Sequence, residues 1–381
     1  MQYRQIGNTG LSASIIGMGT EWLDRQPYAQ VERTIHSAID AGINIMDLFM
    51  PGEEVRRNIG RALKGRRAQV MLQGHICSVD LNEQYDISRD LAVCTRYFEN
   101  LLRFLDTDYI DLGMMFFMDT EEALAQVQEN GIFEYMCDLK RRGVVRAIGA
   151  SSHNPAIARK LVEAGMIDVL MFSINAAFDM TGTGTHVLDT LKNDFSGQDY
   201  AGVNPERLAL YQLCAQQGVG ITVMKPLGAG KLLSPEHSPF SQPMTVGQCI
   251  HYALTRPAVA SVMVGCRSPE QVQEAVAYLA LSDADKDYTH ALKGERSSMQ
   301  GSCVYCNHCQ PCPAGIDIVA VHKYLDIARL DTGNIPPSVR QHYQALDAAG
   351  ADCVACGECE ARCPFGVPVT ANMVQAAQLL G

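Results

Sequence analysis

The placement of the cysteines constrains this chain more than any other feature of its sequence. The 381 residues include 14 cysteines, and eight of these fall in two closely spaced runs, over 303–312 and 353–363. We interpret the other six as small buried hydrophobic residues, because they lie mostly inside apolar stretches. These six are Cys77, Cys94, Cys137, Cys214, Cys249 and Cys266. The division predicts a boundary near residues 290–300, between a large domain over 1–290 and a small one over 298–381.

The second run reads C-x2-C-x2-C-x3-C-P, which is the run found in bacterial ferredoxins. The first run reads C-x2-C-x2-C-x2-C-P and differs by one residue in its last gap. In the ferredoxin pattern three cysteines of a run bind one [4Fe–4S] cluster, and the fourth, which precedes proline, binds the other cluster. We therefore expect two [4Fe–4S] clusters in a small C-terminal domain similar to bacterial ferredoxins. The expected ligands are Cys303, Cys306, Cys309 and Cys363 for one cluster, and Cys312, Cys353, Cys356 and Cys359 for the other.

A pair of structural zinc sites is the alternative, because zinc also binds four thiolates. Zinc ligands usually form two close pairs separated by a long gap, whereas each run here has three cysteines followed by one before proline. The spacing therefore favours iron–sulfur clusters, which pass single electrons. A chain with such clusters needs an electron partner, for which we expect a ferredoxin or a flavoprotein.

Charge and hydropathy exclude other classes of function. Lys and Arg number 31 against 42 for Asp and Glu, which gives a formal net charge of -11. Nucleic acid is therefore not expected as a partner, because phosphate binding needs a basic surface. No apolar run reaches the roughly 18 residues of a membrane span, and the N-terminus lacks the apolar core of a signal peptide. We expect a cytoplasmic protein, in which thiols stay reduced and crowded cysteines indicate metal rather than disulfides.

Short apolar runs alternate with amphipathic stretches between residues 14 and 280, and the stretches place apolar residues at i, i+3 and i+4, as helices do. Almost continuous apolar runs indicate strands buried on both faces, as in a parallel sheet covered by helices. The predicted strands are 14–20, 43–49, 70–76, 109–117, 145–152, 169–175, 221–227 and 259–265. Eight strand–helix units of this total length predict an α/β fold of the (β/α)8 TIM-barrel type. An open doubly wound sheet is the alternative, but no G-x-G-x-x-G follows the first strand.

Two long connections follow the sixth and seventh predicted strands, over 176–203 and 227–244. Both fall on the barrel face where the strands end, and connections of this length are usually functional. We expect them to cover the barrel mouth or to dock the small domain. His186 and His237 lie in these connections, and we interpret them as solvated loop residues.

The N-terminal residues also carry a turn signal. Residues 2–5 and 11–14 flank the turn Gly-Asn-Thr-Gly, so we expect them to pair as a hairpin before the barrel begins.

Several segments of the predicted barrel resemble the aldo/keto reductases. They span about residues 1–280 and include GNTGLSASIIGMGT, AGINIMDLF, TDYIDLGMM, VRAIGASS and VMKPLGAGKL. Together with the two cysteine runs, they make the whole chain similar to the iron–sulfur branch of that family. The resemblance implies an oxidoreductase that acts on a small-molecule substrate at the barrel mouth.

Members of the resembled family reduce carbonyls with NADPH, using a tyrosine as proton donor with a lysine, an aspartate and a histidine. Only the aspartate has a counterpart, Asp47, because the following DLFMPGEEV contains no tyrosine, while His75 stands at the lysine position and Phe116 at the histidine position. Carbonyl reduction needs an acid that protonates the developing alkoxide. We predict that His75, held protonated by Asp47, replaces the missing donor. The alternatives are that the two form a structural pair, or that Tyr85 is the donor.

The resemblance also implies a groove for NADPH or NADH, although several of its residues are altered. The altered positions are Met171, Met224, Cys266, Gln271 and Ala275. The positions still expected to contact the cofactor are Ser151, Ser152, Leu227, Gly228, Gly230, Gly265, Arg267 and Glu274. The glycine backbone and the helix after Gly265 suit a pyrophosphate. We expect nicotinamide binding to be weaker than in the family.

Two functions fit these observations. The first is an oxidoreductase in which two clusters exchange electrons with a substrate, with or without a nicotinamide. The second is a non-catalytic electron-transfer or assembly subunit whose barrel has lost its reductase activity. The altered catalytic residues favour the second function, while Asp47, His75 and the long connections favour the first, which is our prediction.

Overall fold

The computed structural model describes residues 1–81, 84–193, 195, 200, 202–292, 301–330 and 332–381. The chain forms two compact units. The barrel unit consists of Met1–Asn175, Gln212–Ala229 and Val246–Lys286, and the C-terminal unit consists of Ala176–Tyr211, Gly230–Thr245 and Asp287–Gly381. Most residues of the long connections over 176–203 and 227–244 thus belong to the C-terminal unit. The boundaries expected from the sequence had placed both connections in the domain over 1–290. Of the predicted boundary segment, residues 293–300 lie outside the described residues.

Eight parallel strands close a barrel, which confirms the predicted (β/α)8 fold. The strands of the described chain are β1 (Tyr3–Gln5), β2 (Ser12–Ser14), β3 (Ile16–Gly19), β4 (Ile45–Leu48), β5 (Met71–Ile76), β6 (Ser78–Leu81), β7 (Gln84–Ile87), β8 (Ile110–Met115), β9 (Val145–Ser152), β10 (Val169–Ser173), β11 (Gly220–Met224) and β12 (Val259–Gly265). The barrel order is β3-β4-β5-β8-β9-β10-β11-β12, and β12 pairs with β3. Each barrel strand overlaps one predicted strand. The pattern succeeded because barrel strands face packed side chains on both sides and are therefore apolar throughout.

Two antiparallel hairpins accompany the barrel. The first pairs β1 with β2, from Tyr3 opposite Ser14 to Gln5 opposite Ser12, and confirms the expected N-terminal hairpin. The second pairs β6 with β7 directly after the barrel strand β5. Its short strands mix polar and apolar residues, and neither was among the predicted strands.

The helices alternate with the barrel strands and continue into the C-terminal residues. They are α1 (Tyr28–Asp40), α2 (Glu53–Ala62), α3 (Leu91–Leu105), α4 (Glu121–Glu129), α5 (Ile132–Arg141), α6 (Pro155–Glu163), α7 (Ala176–Asp179), α8 (Val187–Lys192), α9 (Pro205–Gln217), α10 (Val246–Leu254), α11 (Pro269–Ala277), α12 (Asp283–Lys286), α13 (Thr289–Leu292), α14 (Ile318–Leu330), α15 (Pro337–Gln344), α16 (Glu358–Arg362) and α17 (Val369–Leu380). Side chains of Asp90, Thr120 and Asn154 cap α3, α4 and α6 by accepting backbone N–H bonds. Such caps satisfy N–H groups that have no partner within the helix, and so fix where each helix begins.

Methionines fill much of the barrel interior. Met114 and Met263 belong to one buried core cluster with Ile45, and both lie against glycines of neighbouring strands. A Cβ atom on Gly149 would lie 2.4 Å from the Met114 sulfur, and one on Gly17 would lie 2.5 Å from the Met263 sulfur. The missing side chains therefore make room for the long flexible ones, as close packing of a barrel interior requires.

The C-terminal unit contains a small helical core in which α14 packs against α17. His322 Nε2 lies 3.1 Å from Asn372 Nδ2, and Arg329 donates to Asn372 Oδ1 at 2.6 Å. In the segment after β10, Arg207 Nε donates to the buried Asp179 at 2.9 Å, and Tyr211 donates to the same oxygen at 2.6 Å. The long connection over 176–203 therefore includes α7 and α8, and its Asp179 forms a buried ion pair with Arg207 of α9.

Three smaller sequence-based interpretations can be compared with the structure. Five of the six scattered cysteines are buried as expected, but Cys137 is exposed, so that part of the interpretation was wrong. Cys137 lies on α5, where neighbouring positions alternate between the core and solvent.

His237 is exposed, as expected for a solvated loop residue, whereas His186 accepts the N–H of Leu188 at the start of α8. Within the described residues, no helix is both long enough and apolar enough to span a membrane.

Candidate functional site

Asp47 and His75 lie side by side near the ends of two neighbouring barrel strands. They belong to β4 and β5, and His75 Nε2 lies 2.8 Å from Asp47 Oδ1. Their side chains are 4% and 1% exposed. A carboxylate only accepts hydrogen bonds, so Nε2 carries the hydrogen and donates it. The structure thus brings together the two predicted catalytic residues, while their catalytic role stays a prediction.

Gln73 holds the Asp47 carboxylate from one layer deeper in the barrel. Its Nε2 donates to Asp47 Oδ1 at 2.6 Å, and its Oε1 accepts from Thr222 Oγ1 at 2.9 Å. All three side chains are buried. The sequence analysis did not single out Gln73, although a polar residue two positions before His75 in an otherwise apolar strand was a usable signal, since the two share one face.

The second ring nitrogen of His75 has no hydrogen-bond partner among the described residues, although the atom is buried. Buried polar atoms are almost always paired, so an orphan atom at a barrel mouth indicates a place for a ligand atom or a water. The ring's neighbours are aromatic, with the Phe116 centroid at 5.4 Å and the Phe49 centroid at 6.3 Å, both edge to face. A small molecule at Nδ1 would therefore meet one polar atom and an apolar wall.

Phe49 and Phe116 form an aromatic wall beside His75, and this wall extends to Tyr85 at the rim of the barrel mouth. Phe49 stacks on Phe116 with centroids 5.6 Å apart, and Tyr85 meets Phe49 edge to face at 5.7 Å. Phe116 gives the wall an apolar face at the position where the resembled family has a histidine. Tyr85, the alternative proton donor, is 53% exposed, and in the described structure its ring contact is with Phe49, not with His75.

A second histidine–aspartate pair lies further round the mouth. His153 Nδ1 is 2.9 Å from Asp119 Oδ2, and Asp119 Oδ1 also accepts from the His153 N–H at 2.6 Å and from Ser152 Oγ at 3.0 Å. Ser151 Oγ accepts the N–H of Phe117 at 2.9 Å. Both serines expected at the nicotinamide thus bind protein groups. The sequence analysis missed the pair because its members follow different strands, β8 and β9, and no local spacing links them.

The adenine side of the predicted nucleotide groove is partly covered by Trp22. A Cβ atom on Gly265 would lie 2.8 Å from two atoms of the Trp22 indole, so the indole rests on the backbone expected at the pyrophosphate. The Arg267 guanidinium lies 4.8 Å from the centroid of the Trp22 ring, and the Arg267 N–H donates to Gln271 at 2.8 Å. A nucleotide at Gly265 therefore requires the Trp22 side chain to move.

The remaining predicted nucleotide residues lie on two segments. Gly228 follows Leu227 in the barrel unit, whereas Gly230 belongs to the C-terminal unit, and both glycines have positive φ, of 56° and 85°. Glu274 lies on α11, near the thiol of Cys266. Burial, and then the Glu274 charge, raise the pKa of Cys266 to about 12.

Lys225 is a charged residue of the mouth that the sequence analysis did not identify as functional. It directly follows β11, has a φ of 55°, and its carbonyl accepts Asn175 Nδ2 at 2.9 Å. Burial lowers the pKa of the Lys225 ammonium, while the charges of Glu21, Asp119 and Asp47 raise it in part. Its sequence signal was only the lysine of VMKPL, which nothing distinguished from a surface residue.

The first expected set of cysteines is drawn together in the C-terminal unit. Burial raises the pKa of Cys303 well above its usual range, and the nearby thiols of Cys306 and Cys309 add to this rise. The Cys363 thiol also raises the pKa of Cys306 and that of Cys309, although Cys363 belongs to the other run of the sequence. Cys309 also interacts with Cys359, so the two sets are neighbours.

The second expected set lines a single small cavity, whose walls also include the apolar side chains of Ile316, Ile318, Val369 and Met373. The cysteines on this cavity are Cys312, Cys353, Cys356 and Cys359. Cys312 comes from the first run and the other three from the second. The cavity therefore brings cysteines of the two runs together beside hydrocarbon side chains, with Cys359 buried and Cys356 exposed.

Arg362 joins the two cysteine runs. It ends α16, directly before Cys363, and its guanidinium donates to the carbonyl of Cys309 at 2.9 Å and to that of Pro311 at 2.7 Å. Two donors on one planar group fix the relative position of the two backbone segments. Within the part of the chain that the structure describes, no three His, Cys, Asp or Glu side chains are grouped closely enough to hold a single metal ion.

The barrel unit also has an open groove that reaches Asp119. It runs between the segment after β7 and α4, and its lining includes Arg89, Phe117, Asp119 and Asn130. Arg89 donates to the carbonyls of Phe116 and Phe117 at 2.9 Å each, which fixes the aromatic wall from the groove side. The groove is therefore an approach for a small molecule to the polar groups of the mouth.

Comparison with known proteins places the barrel in a family. The model of the aldo/keto reductase family matches residues 15–246. The aldo-keto reductase YhdN of Bacillus subtilis is 34% identical over 165 residues, which cover 40% of this chain and 47% of that protein. The chain thus aligns with about half the length of this relative.

Other matches are longer and more distant. The NADH-specific methylglyoxal reductase of Escherichia coli is 24% identical over 341 residues, covering 74% of this chain and 93% of that protein. The holo structure of aldo-keto reductase AKR11C1 from Bacillus halodurans covers 76% of this chain and 95% of its own, with a TM-score of 0.58 and 23% identity, and so supports the fold. The barrel fold and the match over more than half of the residues together show that the chain belongs to the aldo/keto reductase family, a family of oxidoreductases.

Proposed function

We propose that this chain is an oxidoreductase in which two [4Fe–4S] clusters in the C-terminal unit exchange electrons with a small-molecule substrate bound at the barrel mouth beside Asp47 and His75. The observation that carries this proposal is the grouping of the eight cysteines into two sets that cross between the runs. A ferredoxin or a flavoprotein is the proposed electron partner.

The crossed grouping supports clusters over separate zinc sites. If each run bound its own zinc ion, the fourth cysteine of each run would lie with the other three cysteines of that run. Instead, Cys363 lies near Cys306 and Cys309, and Cys312 shares a cavity with the cysteines of the second run. This is the exchange of fourth ligands that two-cluster ferredoxins use. The side chains of Ile316, Val369 and Met373 fit such a group as well, because hydrocarbon that excludes water tunes cluster potentials. When bound, the clusters would supply one-electron transfer.

His75 is the proposed proton donor to the substrate. Its Nε2 is held by Asp47, and its Nδ1 is the buried atom without a partner. When both ring nitrogens carry hydrogen, Nδ1 is the donor that no described residue engages. Phe49 and Phe116 keep water from this nitrogen, so the proton passes to an oxygen of a substrate that lies against the aromatic wall.

A nicotinamide nucleotide is the second proposed electron source. Family membership supports it, as does the name of the Escherichia coli relative, which is an NADH-specific reductase. Trp22 on Gly265 and Met224 at the expected stacking position both weaken the groove. We therefore propose that NADPH or NADH binds less tightly here than in the family.

One anaerobic experiment tests the clusters and the electron source together. The reconstituted full-length protein is analysed for iron, reduced with dithionite and examined by low-temperature EPR. About eight irons per chain and signals of reduced clusters are expected. About two zinc ions and no EPR signal would refute the iron–sulfur proposal. Bleaching of cluster absorbance when NADH or NADPH is added would identify the nucleotide as donor, and a Cys137→Ser variant serves as the matched control.

A non-catalytic electron-transfer subunit is the second candidate. The replacement of the family tyrosine, lysine and histidine favours it. The two candidates differ in one measurement, because an enzyme oxidises its reduced clusters when its substrate is added, whereas a subunit passes electrons only to a protein partner. Oxidation of the dithionite-reduced clusters by a small aldehyde or ketone, lost in His75→Ala, would support the enzyme.

A further inference from the structure

Two buried cysteines near the end of β5 lie in direct sulfur contact. Cys77 comes directly after β5, two residues beyond His75, and Cys94 lies near the start of α3. Their Sγ atoms are 3.7 Å apart, and neither residue has exposed surface. A disulfide needs about 2.05 Å between its sulfurs, so this separation is a contact between two free thiols. The pair is therefore a dithiol whose sulfurs already meet.

The backbone brings the two sulfurs together at the base of the β6–β7 hairpin. Cys77 precedes β6 and Ser88 follows β7, and the Ser88 N–H donates to the Cys77 carbonyl at 3.1 Å. The Ser88 carbonyl in turn accepts from Cys94 Sγ at 3.2 Å. Cys77 has a φ of 73°, which non-glycine residues adopt rarely, mostly where the surroundings require it. The chain thus holds one half of the pair in a strained conformation, and such strain is typical of functional positions.

Arg89 supplies positive charge to the pair. Its Nη2 donates to the carbonyls of Phe116 and Phe117 at 2.9 Å each, which anchors the guanidinium. The hydrogen bond from Cys94 lowers the pKa of Cys77, burial opposes this, and the Arg89 charge lowers the pKa further. The Cys77 sulfur and burial raise the pKa of Cys94. The two sulfurs are therefore unequal, since Cys77 ionises more readily and Cys94 keeps its proton.

We propose that Cys77 and Cys94 form an oxidation site that reacts with a small hydroperoxide and closes to a disulfide. The Cys77 thiolate attacks one peroxide oxygen, the O–O bond breaks, and the other oxygen leaves as an alcohol with the proton that the Cys77 thiol released. Cys77 is thereby oxidised to a sulfenic acid. The Cys94 sulfur then attacks the Cys77 sulfur, the S–O bond breaks, and the hydroxyl leaves as water with the Cys94 proton. The net change is two thiols plus a hydroperoxide to a disulfide, an alcohol and water.

The β6–β7 hairpin provides the route for the oxidant. Two-stranded hairpins are only marginally stable, and Leu81 and Tyr85 of this one are exposed, so it opens more easily than the barrel strands. Opening separates Ser88 from Cys77 and admits a small molecule to the sulfur. The disulfide then ties the base of the hairpin to α3. Because Tyr85 contacts Phe49 at the barrel mouth, oxidation restricts the motion of the rim.

This inference goes beyond the proposed function and does not depend on the clusters, since both cysteines belong to the barrel unit. It gives a redox role to two residues whose burial alone indicates only packing. The chemistry is a two-electron oxidation of sulfur, distinct from the one-electron transfer of the proposed clusters.

Peptide mapping of the oxidised full-length protein tests the proposal. The native protein is treated with hydrogen peroxide, for which the alcohol is water, remaining thiols are blocked under denaturing conditions, and the chain is digested with trypsin. Cleavage after Arg89 places Cys77 and Cys94 in separate peptides, 68–89 and 90–96. We expect these peptides to be joined by a disulfide that dithiothreitol cleaves. The internal reference is the buried Cys214, whose pKa burial raises to about 12, and Cys77 should be oxidised at least about tenfold faster because it forms more thiolate.

Two variants assign the roles of the sulfurs. Cys94→Ser should stop the reaction at the sulfenic acid of Cys77, which dimedone traps as a stable adduct. Cys77→Ser should leave Cys94 reduced, and circular dichroism checks that both variants fold. Hydrogen exchange in β6 and β7 should slow when the native protein is oxidised, but not when Cys94→Ser is treated in the same way.

The outcome that contradicts the proposal is equally direct. Oxidation of Cys77 no faster than that of Cys214 in the folded protein would overturn it, and so would a disulfide from Cys77 to a cysteine other than Cys94. Both results can be read from the peptides whatever the iron content of the sample.

Discussion

The barrel mouth and the cysteine-rich part of the C-terminal unit hold their reactive groups in opposite ways. In the mouth, Asp47 and His75 project from buried strands, and each is fixed by direct hydrogen bonds to other side chains. The cysteines of the second region lie mostly on loops around the short helix α16, where Tyr305, Asn307 and Ala355 adopt positive φ. Regular strands therefore position the reactive groups of the mouth, whereas loops position most of the cysteines.

The two regions therefore differ in the interactions that keep their backbone ordered. Hydrogen bonds among Gln73, Asp47 and His75 and the packing of the barrel strands order the mouth, although His75 Nδ1 has no partner among the described residues. Thiols that crowd together raise one another's pKa, as Cys306 and Cys309 raise that of Cys303 after burial. A bound cationic group relieves that crowding, so binding free energy becomes folding free energy in the region around it. The two regions should therefore respond differently to every perturbation below.

The largest expected effect is the response to removal of the clusters. Chelation under reducing conditions should expose the amides of 301–381 to rapid hydrogen exchange, because the loops there lose the group that orders them. The barrel strands, such as β5, should stay protected, since their order comes from packing. Hydrogen exchange by mass spectrometry, before and after chelation, measures both regions in one sample. Equal protection of 301–381 in both samples would contradict this view of the second region.

Single cysteine replacements should sharpen the comparison within the C-terminal unit. Cys363→Ser should remove the cluster expected on Cys303, Cys306 and Cys309, and Cys312→Ser should remove the other one. Each variant should retain about four irons per chain of about eight. Native mass spectrometry counts the iron, and Cys137→Ser on the exposed face of α5 is the control. If Cys363→Ser instead lost the metal of its own run, the crossed pairing would be wrong.

The two regions also differ in what their sequence could reveal. The two cysteine runs were recognisable because their spacing is local, whereas the exchange of Cys312 and Cys363 between them came from a known pattern and stays a prediction. The barrel strands were predictable because burial on both faces makes a strand apolar throughout. The β6–β7 hairpin was missed because four-residue strands with mixed polarity carry almost no periodic signal.

The mouth was only partly predictable, for a physical reason. Its residues come from the ends of different strands, so their contacts depend on closure of the barrel and not on spacing. Asp47 and His75 were found because a family resemblance marked both positions. His153 with Asp119 had no such mark. Lys225 was missed because it is a single lysine after a strand, and neither its burial nor its charged neighbours are encoded in any local pattern.

A smaller effect is expected when the mouth loses its proton donor. His75→Ala should lower turnover with a reducible carbonyl by about 10²–10⁴-fold, the usual contribution of a general acid. Asp47→Asn should cost less, because it leaves the imidazole in place and changes only the group that accepts from Nε2. His36→Ala, in the helix layer outside the barrel, is the control. The content of the proposed clusters should be unchanged in all three variants, since the expected ligands belong to the C-terminal unit and these residues to the barrel unit, and a variant that loses iron would remove that distinction.

The smallest expected effect is a shift in the titration of Lys225, which measures how strongly the charges of the mouth act on one another. In ¹³C-methylated protein, the NMR signal of Lys225 should titrate below the usual pH range of a lysine ammonium, because burial disfavours the charged form. A carboxylate stabilises the ammonium and so raises its pKa. Removing one therefore lowers the midpoint further, and Glu21→Gln should do so more than Asp47→Asn, since Glu21 has the larger influence on Lys225. Glu54→Gln on α2 should leave the midpoint unchanged. A midpoint that rises in Glu21→Gln would mean that the amine does not face this carboxylate, and the mouth would then lack the coupled acid and base that distinguish it from the thiol-lined cavity.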